Sequence, residues 1–143
     1  MKDIRELEWG SSDYREFCEL RQEYLRAPLG HNLFEENLDA ERNDVHIGLY
    51  DGTRLAGGAI LVLRDTDTGQ LRQMLVVPAL RRRGLGRLIV RRIEDAARAR
   101  SLRVLFLNAR LPAVEFYRHC GFQSVGDEFV SHGIPHVRME KSL

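Results

Sequence analysis

The chain is poor in the residues that build metal clusters, disulfide frameworks and membrane spans. It has two cysteines, Cys18 and Cys120, far apart in sequence, too few for a disulfide scaffold or a thiolate cluster. Each falls in a helical pattern, where an unpaired cysteine is normally a small packing residue. There are five histidines. His132 and His136 come nearest to a pair, and two imidazoles alone make a poor site, so no metal is expected. No apolar run approaches the roughly 20 residues that cross a bilayer, and Met1 to Glu8 mixes charges where a secretory leader would be apolar; no membrane association is expected and the cytoplasm is the default. Charge of one sign is also lacking. With 22 basic and 21 acidic side chains and a formal net charge of +1, no global field favours nucleic acid, and any strong positive potential must be local.

What is present is ordinary globular material: 143 residues, 43% hydrophobic and 30% charged, the size of a single domain spanning residues 1–143. Ile4 to Trp9 alternates apolar and charged residues as a half-buried strand does, and Gly10-Ser11-Ser12-Asp13 can cap a helix. Tyr14, Phe17, Leu20, Tyr24 and Leu25 then recur at helical spacing until Ala27-Pro28-Leu29-Gly30 interrupts them. A second short helix is expected over Leu33 to Glu41. Val45 to Tyr50 and Leu55 to Leu63 read as strands joined by a tight Asp51-Gly52 turn, and a third follows from Leu71 to Val77. From Gly84 to about Arg100, Leu85, Leu88, Ile89, Ile93, Ala96 and Ala97 mark one helical face. Val104 to Leu107 is a continuous apolar run, the pattern of a strand buried on both faces beside a parallel neighbour. A helix over Pro112 to Cys120 and strands over Ser124 to Phe129 and His136 to Met139 close the chain.

Arg81-Arg82-Arg83-Gly84-Leu85-Gly86 lies between a strand and the long helix. Glycines there let backbone N–H groups approach a pyrophosphate at the positive end of a helix dipole, and the arginines add local charge. Together with Gln73-Met74-Leu75-Val76-Val77-Pro78 before it, this Arg-x-x-Gly-x-Gly loop resembles the cofactor motif of the GNAT superfamily of N-acyltransferases. It lacks the Gly-Lys-Ser/Thr ending of a Walker loop. A second segment, Asn108 followed by Ala113, Phe116-Tyr117 and Gly121-Phe122, resembles the same family. The Ala27 to Gly30 turn and the His132 to His136 stretch are similar to a small bacterial subgroup without a settled substrate. The resemblance implies an α+β fold: a central mixed, mostly antiparallel sheet of six or seven strands, about four flanking helices, and two parallel strands that splay apart to hold acyl-CoA.

The activity so implied is N-acetyl transfer from acetyl-CoA, used as cosubstrate, to a primary amine on a small molecule or peptide, by direct attack through a tetrahedral intermediate. A non-catalytic acyl-CoA sensor on the same fold is the alternative. Arg81, Arg82, Arg83, Gly84, Leu85 and Gly86 would bind the pyrophosphate. Backbone groups of Met74, Leu75 and Val76 would pair with pantetheine, with the Val76 N–H donating to the thioester oxygen, and Asn108 would reach the pantetheine arm or the strand junction. Tyr117 would be the acid for the departing thiolate. Many relatives carry a glutamate on the strand before the loop; Arg72, Gln73 and Met74 stand here instead, which leaves the general base open. His136 is a candidate, since imidazole ordinarily titrates near neutrality. Arg82, Arg83, Arg87, Arg91 and Arg92 could instead form a nucleic-acid stripe, but with Glu94 and Asp95 beside them they read as a solvated helix face around the cofactor phosphates. Homodimers are common in the family, which makes one possible here, and the sequence does not fix the oligomeric state.

Overall fold

The computed structural model describes residues 2–143. Seven strands form one sheet in the order β1-β2-β3-β4-β5-β7-β6. They are β1 (Lys2–Leu7), β2 (Val45–Asp51), β3 (Arg54–Leu63), β4 (Thr68–Val76), β5 (Val104–Arg110), β6 (Gln123–Ser131) and β7 (Ile134–Ser142), with α-helices α1 (Ser12–Arg21), α2 (Leu85–Ala99) and α3 (Val114–His119) packed around them. All neighbours pair antiparallel except β4 and β5. The mixed, mostly antiparallel sheet is therefore as the resemblance implied. No helix is long and apolar enough to cross a membrane among the described residues.

The local chemistry explains where the elements start and stop. The Ser11 hydroxyl accepts the Tyr14 N–H at 3.2 Å, satisfying a first-turn donor of α1. Approaching Pro28, which has no N–H to continue the helix, the chain widens into a π-turn over Gln22–Arg26 and a 3-10 turn over Ala27–Leu29, and ends at Gly30 with φ 73°. At the β6–β7 hairpin both turn residues take positive φ, His132 at 53° and Gly133 at 76°, the geometry that matches strand twist.

Four sequence expectations are corrected. The first strand lies earlier, and Trp9 is a bracing residue whose indole N–H donates to the Leu38 carbonyl at 3.1 Å. The helix expected over Leu33 to Glu41 is two 3-10 turns, Leu33–Glu35 and Leu38–Glu41, separated by Glu36 in extended conformation. Its two apolar anchors, Leu33 and Leu38, join Tyr14, Cys18 and Trp9 in one small cluster at a spacing no single helical face provides. The segment from Pro112 begins as a 3-10 turn over Leu111–Ala113 before α3. On α2, Val90 rather than Leu88 completes the buried face, and Glu94 is buried, not solvated. Its two carboxylate oxygens accept from Lys141 Nζ at 3.0 and 3.1 Å, and the same ammonium donates to the Cys120 carbonyl at 2.8 Å, tying α2 to β7 and the end of α3.

Alternation of side chains divides the sheet into two faces. Ala59, Leu61, Leu71, Leu105, Leu107 and Ala109 point to the main core under α2. Ile60 and Leu75 point the other way, to Phe17 of α1. That second face is held by a buried ion pair. Arg21, fully buried, donates to both oxygens of Glu41 at 3.0 and 2.6 Å, and the Tyr14 hydroxyl donates to Glu41 at 2.8 Å. Burial alone would raise the Glu41 carboxyl, but the Arg21 hydrogen bonds and charge outweigh it and hold it below its ordinary 4.5.

Removing Glu41 leaves a buried guanidinium without its counter-charge, so Glu41→Ala is expected to cost about 3–5 kcal/mol in urea unfolding; a loss under about 1 kcal/mol would contradict this role. Because the folded carboxyl is depressed, its stabilising contribution is fully present above about pH 4.5 and is lost as pH falls below it. Wild type should therefore lose more stability between pH 5 and 3 than Glu41→Ala does.

Candidate active site

The site originates in an interrupted strand pairing. β4 and β5 pair in parallel only at Thr68–Val104, Gly69–Leu105 and Gln70–Phe106. Beyond Gln70, β4 carries a bulge. Gly58 pairs with Leu75 while Ile60 pairs with Arg72, so β4 has one residue too many, and Gln73 adopts φ 58°. The bulged strand bends away, and β5 continues alongside β7 to Arg110. Between them a cavity of about 800 Å³ opens. Arg21 Nε reaches Gln73 Oε1 at 3.4 Å, linking the bulge to the buried ion pair behind it.

Past the bulge, Val77 N–H donates to the Ala56 carbonyl on β3 at 2.9 Å. The peptide groups of Val76 therefore face the opposite edge, into the gap. Arg81 Nε donates to the Val76 carbonyl at 2.9 Å, which leaves the Val76 N–H as the strand's open donor on that side. The Arg81 side chain thus braces the turn from β4 into α2. The turn itself is built from left-handed residues, Arg82 at φ 63° and Gly84 at 76°. Gly84 is the N-cap of α2, with no side-chain cap and no acidic residue in the first turn. The first amides of α2 and those of the turn are consequently available to an anion at the positive end of the helix dipole. Arg82 and Arg83 are exposed and form no ion pair among the described residues.

The two loop glycines differ in what constrains them. A Cβ on Gly84 would meet nothing within 4 Å, so conformation alone selects glycine there; a Cβ on Gly86 would lie 3.0 Å from the Phe116 ring and 3.3 Å from the Met74 methyl. The constraint visible at Gly86 is close packing of α2 on α3 and β4, where the sequence suggested room for phosphate. Leu75 and Leu85 are core side chains, so only their peptide groups can face a ligand.

Met74, Asn108, Tyr117 and His136 are brought together on the wall of the cavity. The Arg81 to Gly86 loop lies outside its lining, at the far end of the splay. Tyr117 projects from α3, with its ring edge-on to Phe116 at 4.9 Å and Phe122 at 5.9 Å. Burial, reinforced by the nearby Cys120, pushes its phenol above the ordinary tyrosine range, so the hydroxyl keeps its proton at every pH near neutrality. Asn108 is exposed to the cavity where β5 leaves β4. His136, cross-strand from Arg110, stacks on Phe129 with ring centroids 5.7 Å apart. Its Nδ1 lies 2.7 Å from the Ile134 carbonyl. A carbonyl can only accept, so Nδ1 carries the proton and the Nε2 lone pair is free. His132 sits at the hairpin tip with its ring edge-on to His31 at 5.7 Å, closing the rim. No group of three or more metal-ligating side chains forms among the described residues.

A family profile described as "Acetyltransferase (GNAT) domain" matches residues 18–143. The chain belongs to the GNAT acetyltransferase family. It is 34% identical over 109 residues to the uncharacterized N-acetyltransferase YjcF of Bacillus subtilis, covering 75% of this chain and 77% of that one. The fold is shared with Escherichia coli ElaA (TM-score 0.83, 18% identity, 99% of each chain). It is also shared with an aminoglycoside 6′-N-acetyltransferase solved with coenzyme A (TM-score 0.82, 16% identity, 98% of this chain and 96% of that one). The interrupted ladder, the uncapped α2 and the Val76 amide facing the gap all lie within the matched domain.

The sequence did not reveal the bulge or the second half of the cavity. Arg26, Arg64, Arg72, His31 and Phe129 line it as well; of these, only Arg72 stands out in the sequence, as one of the residues standing where many relatives carry a glutamate.

The contact at Gly86 yields a packing test. Gly86→Val should overpack the α2–α3 junction and cost about 1–3 kcal/mol in thermal or urea unfolding. Adding Phe116→Leu should recover part of that loss, a coupling of at least about 0.5 kcal/mol in the double-mutant cycle. Strict additivity of the two changes would mean that the ring is not what excludes a Cβ.

Proposed function

We propose that this GNAT chain transfers an acetyl group from acetyl-CoA to a primary amine, and that the gap between β4 and β5 is where the two substrates meet. The interrupted ladder carries the reading. It exposes strand edges that an extended, amide-containing ligand can complete, with an anion-ready helix terminus at one end and a cavity of acid–base side chains at the other. Bound acetyl-CoA would supply the activated acyl group as a thioester.

The chain's own groups divide the work. The turn amides from Arg82 to Gly86, with the Arg82 and Arg83 guanidiniums, hold the pyrophosphate. Peptide groups of Met74 and Val76 align the pantetheine while Leu75 anchors the strand to β3, Asn108 contributes from the facing strand, and the Val76 N–H polarises the acyl oxygen. Transfer forms a C–N bond and breaks a C–S bond, the amine giving up a proton and the sulfur gaining one. Tyr117, which retains its phenolic proton, is placed to provide the second. His136 provides the acceptor for the first through its free Nε2.

Tyr117→Phe preserves the ring that packs α3 and removes one hydroxyl, so acetyl-CoA affinity should persist in calorimetry while the single-turnover rate falls about 10- to 1,000-fold. Equal single-turnover rates would remove Tyr117 from the chemistry. In a pH series, His136→Ala should lose the acidic limb of kcat/KM, since protonated imidazole cannot accept the amine proton; a profile that keeps its shape assigns the proton elsewhere. Tyr117 itself should give no basic limb below about pH 10, because its folded pKa lies above the ordinary value.

A further inference from the structure

The half of the cavity remote from the cofactor loop has an unbalanced charge. Four arginines line the cavity, Arg26, Arg64, Arg72 and Arg110, against a single carboxylate, Glu36. That carboxylate is already committed to Arg26, which donates to its two oxygens at 2.7 and 3.3 Å. Glu41 behind them is likewise consumed by Arg21 and Tyr14. Arg64 is held by a neutral partner, the side-chain oxygen of the buried Gln70, 2.8 Å from its Nε and also bonded to its Nη2. Arg72 and Arg110 have no carboxylate partner among the described residues.

Strand alternation puts these groups on one face. Arg64 continues the side of β3 that carries Ile60 and Val62, and Arg72 is two residues from Gln70 on β4. Arg110 is cross-strand from His136. Partial desolvation first, and then the positive charges of Arg64 and Arg26, lower the Arg72 guanidinium below its ordinary range, although the residue stays open to solvent.

We propose that the acceptor is a small amine that also bears a carboxylate, as a free amino acid does, with the carboxylate held by Arg72 and its neighbours Arg64 and Arg110. The inference rests on the acetyl-transfer reading above. A guanidinium fork matches a carboxylate in two hydrogen bonds, whereas a polyamine or a polycationic sugar would bring further positive charge to a cation-lined wall. The same field acts on the reacting group. A positive surround disfavours an ammonium and so lowers the acceptor amine's pKa, raising the fraction that is neutral and nucleophilic. That effect supplies part of what a carboxylate base on β4 would otherwise provide, and a carboxylate there would neutralise the anion-binding wall.

The test is a panel of the common amino acids, their C-terminal amides, and spermidine as a carboxylate-free amine. Two readouts are taken: acetyl-CoA-dependent CoA release, and calorimetric binding of each amine to the protein with CoA present. At least one amino acid should bind and be acetylated, with its amide weakened about tenfold or more in both assays. Arg72→Gln should raise the KM for that amino acid about tenfold, and Arg72→Lys by less, with acetyl-CoA affinity unchanged in both. Binding or turnover confined to carboxylate-free amines, absence of binding by every amino acid, or an Arg72→Gln variant that treats acid and amide alike as wild type does would each overturn the proposal. Failure of acetyl-CoA itself to bind would instead overturn the transferase reading beneath it.

Discussion

The site depends on the pairing of β4 with β5, which holds at only three residue pairs where a continuous ladder would have many more. A sheet normally satisfies its backbone donors and acceptors by pairing every strand along its length. Here β4 and β5 abandon each other after Gln70 and Phe106, because an extra residue at Gln73 gives β4 a bend that no later residue reverses. The bend is costly. A non-glycine residue in the left-handed region carries strain of order 1 kcal/mol or more, and the open Val76 amide forfeits a partner within the sheet. The surrounding structure compensates from behind, with Gln73 touching Arg21 and Arg21 locked to Glu41. The gap is thus a fixed product of packing.

That gap separates two chemical environments. On the α2 side the walls are apolar core crossed by the Glu94–Lys141 pair, and peptide dipoles and arginines converge at the turn before the helix. On the α1 side the walls are polar, with arginines, a neutral amide and an imidazole, while the protonated Tyr117 phenol reaches the cavity from the main core. The two environments communicate only where the sheet is interrupted.

How much of this could be read from the residues alone depended on whether the determinant was local. The glycine-rich turn, the long amphipathic α2 and the apolar β5 were legible because each is encoded by nearby positions: Gly84 at positive φ, Leu85, Ile89 and Ile93 on one face, Leu105 to Leu107 without a polar break. The resemblance supplied what periodicity could not, the splay of the parallel pair, and pointed to Tyr117 and Asn108, which line the cavity. Misreadings arose where distant contacts decided. Leu33 to Glu41 has helical composition, yet its anchors answer to Tyr14 and Trp9, and tertiary packing overrides propensity. Glu94 looks solvent-facing until Lys141, 47 residues away, is seen beside it. Gly86 carries a second constraint invisible in sequence, since a Cβ there would meet the Phe116 ring from another element. The bulge has no local signature, since Gln73 is an unremarkable residue forced into φ 58° by the register on both sides.

The interrupted ladder also bears on how the protein coexists with its neighbours. Unpaired strand edges at the rim of a sheet invite pairing with other chains and are a common origin of aggregation. In this sheet a comparable length of unpaired backbone lies in the interior, flanked by β3 on one side and β7 on the other, so another protein's strand cannot lie down in it without first displacing packed helices. A slender, flexible chain with its own amides can enter. Selectivity between foreign polypeptide and small extended ligand is therefore set by access, before any side chain is consulted.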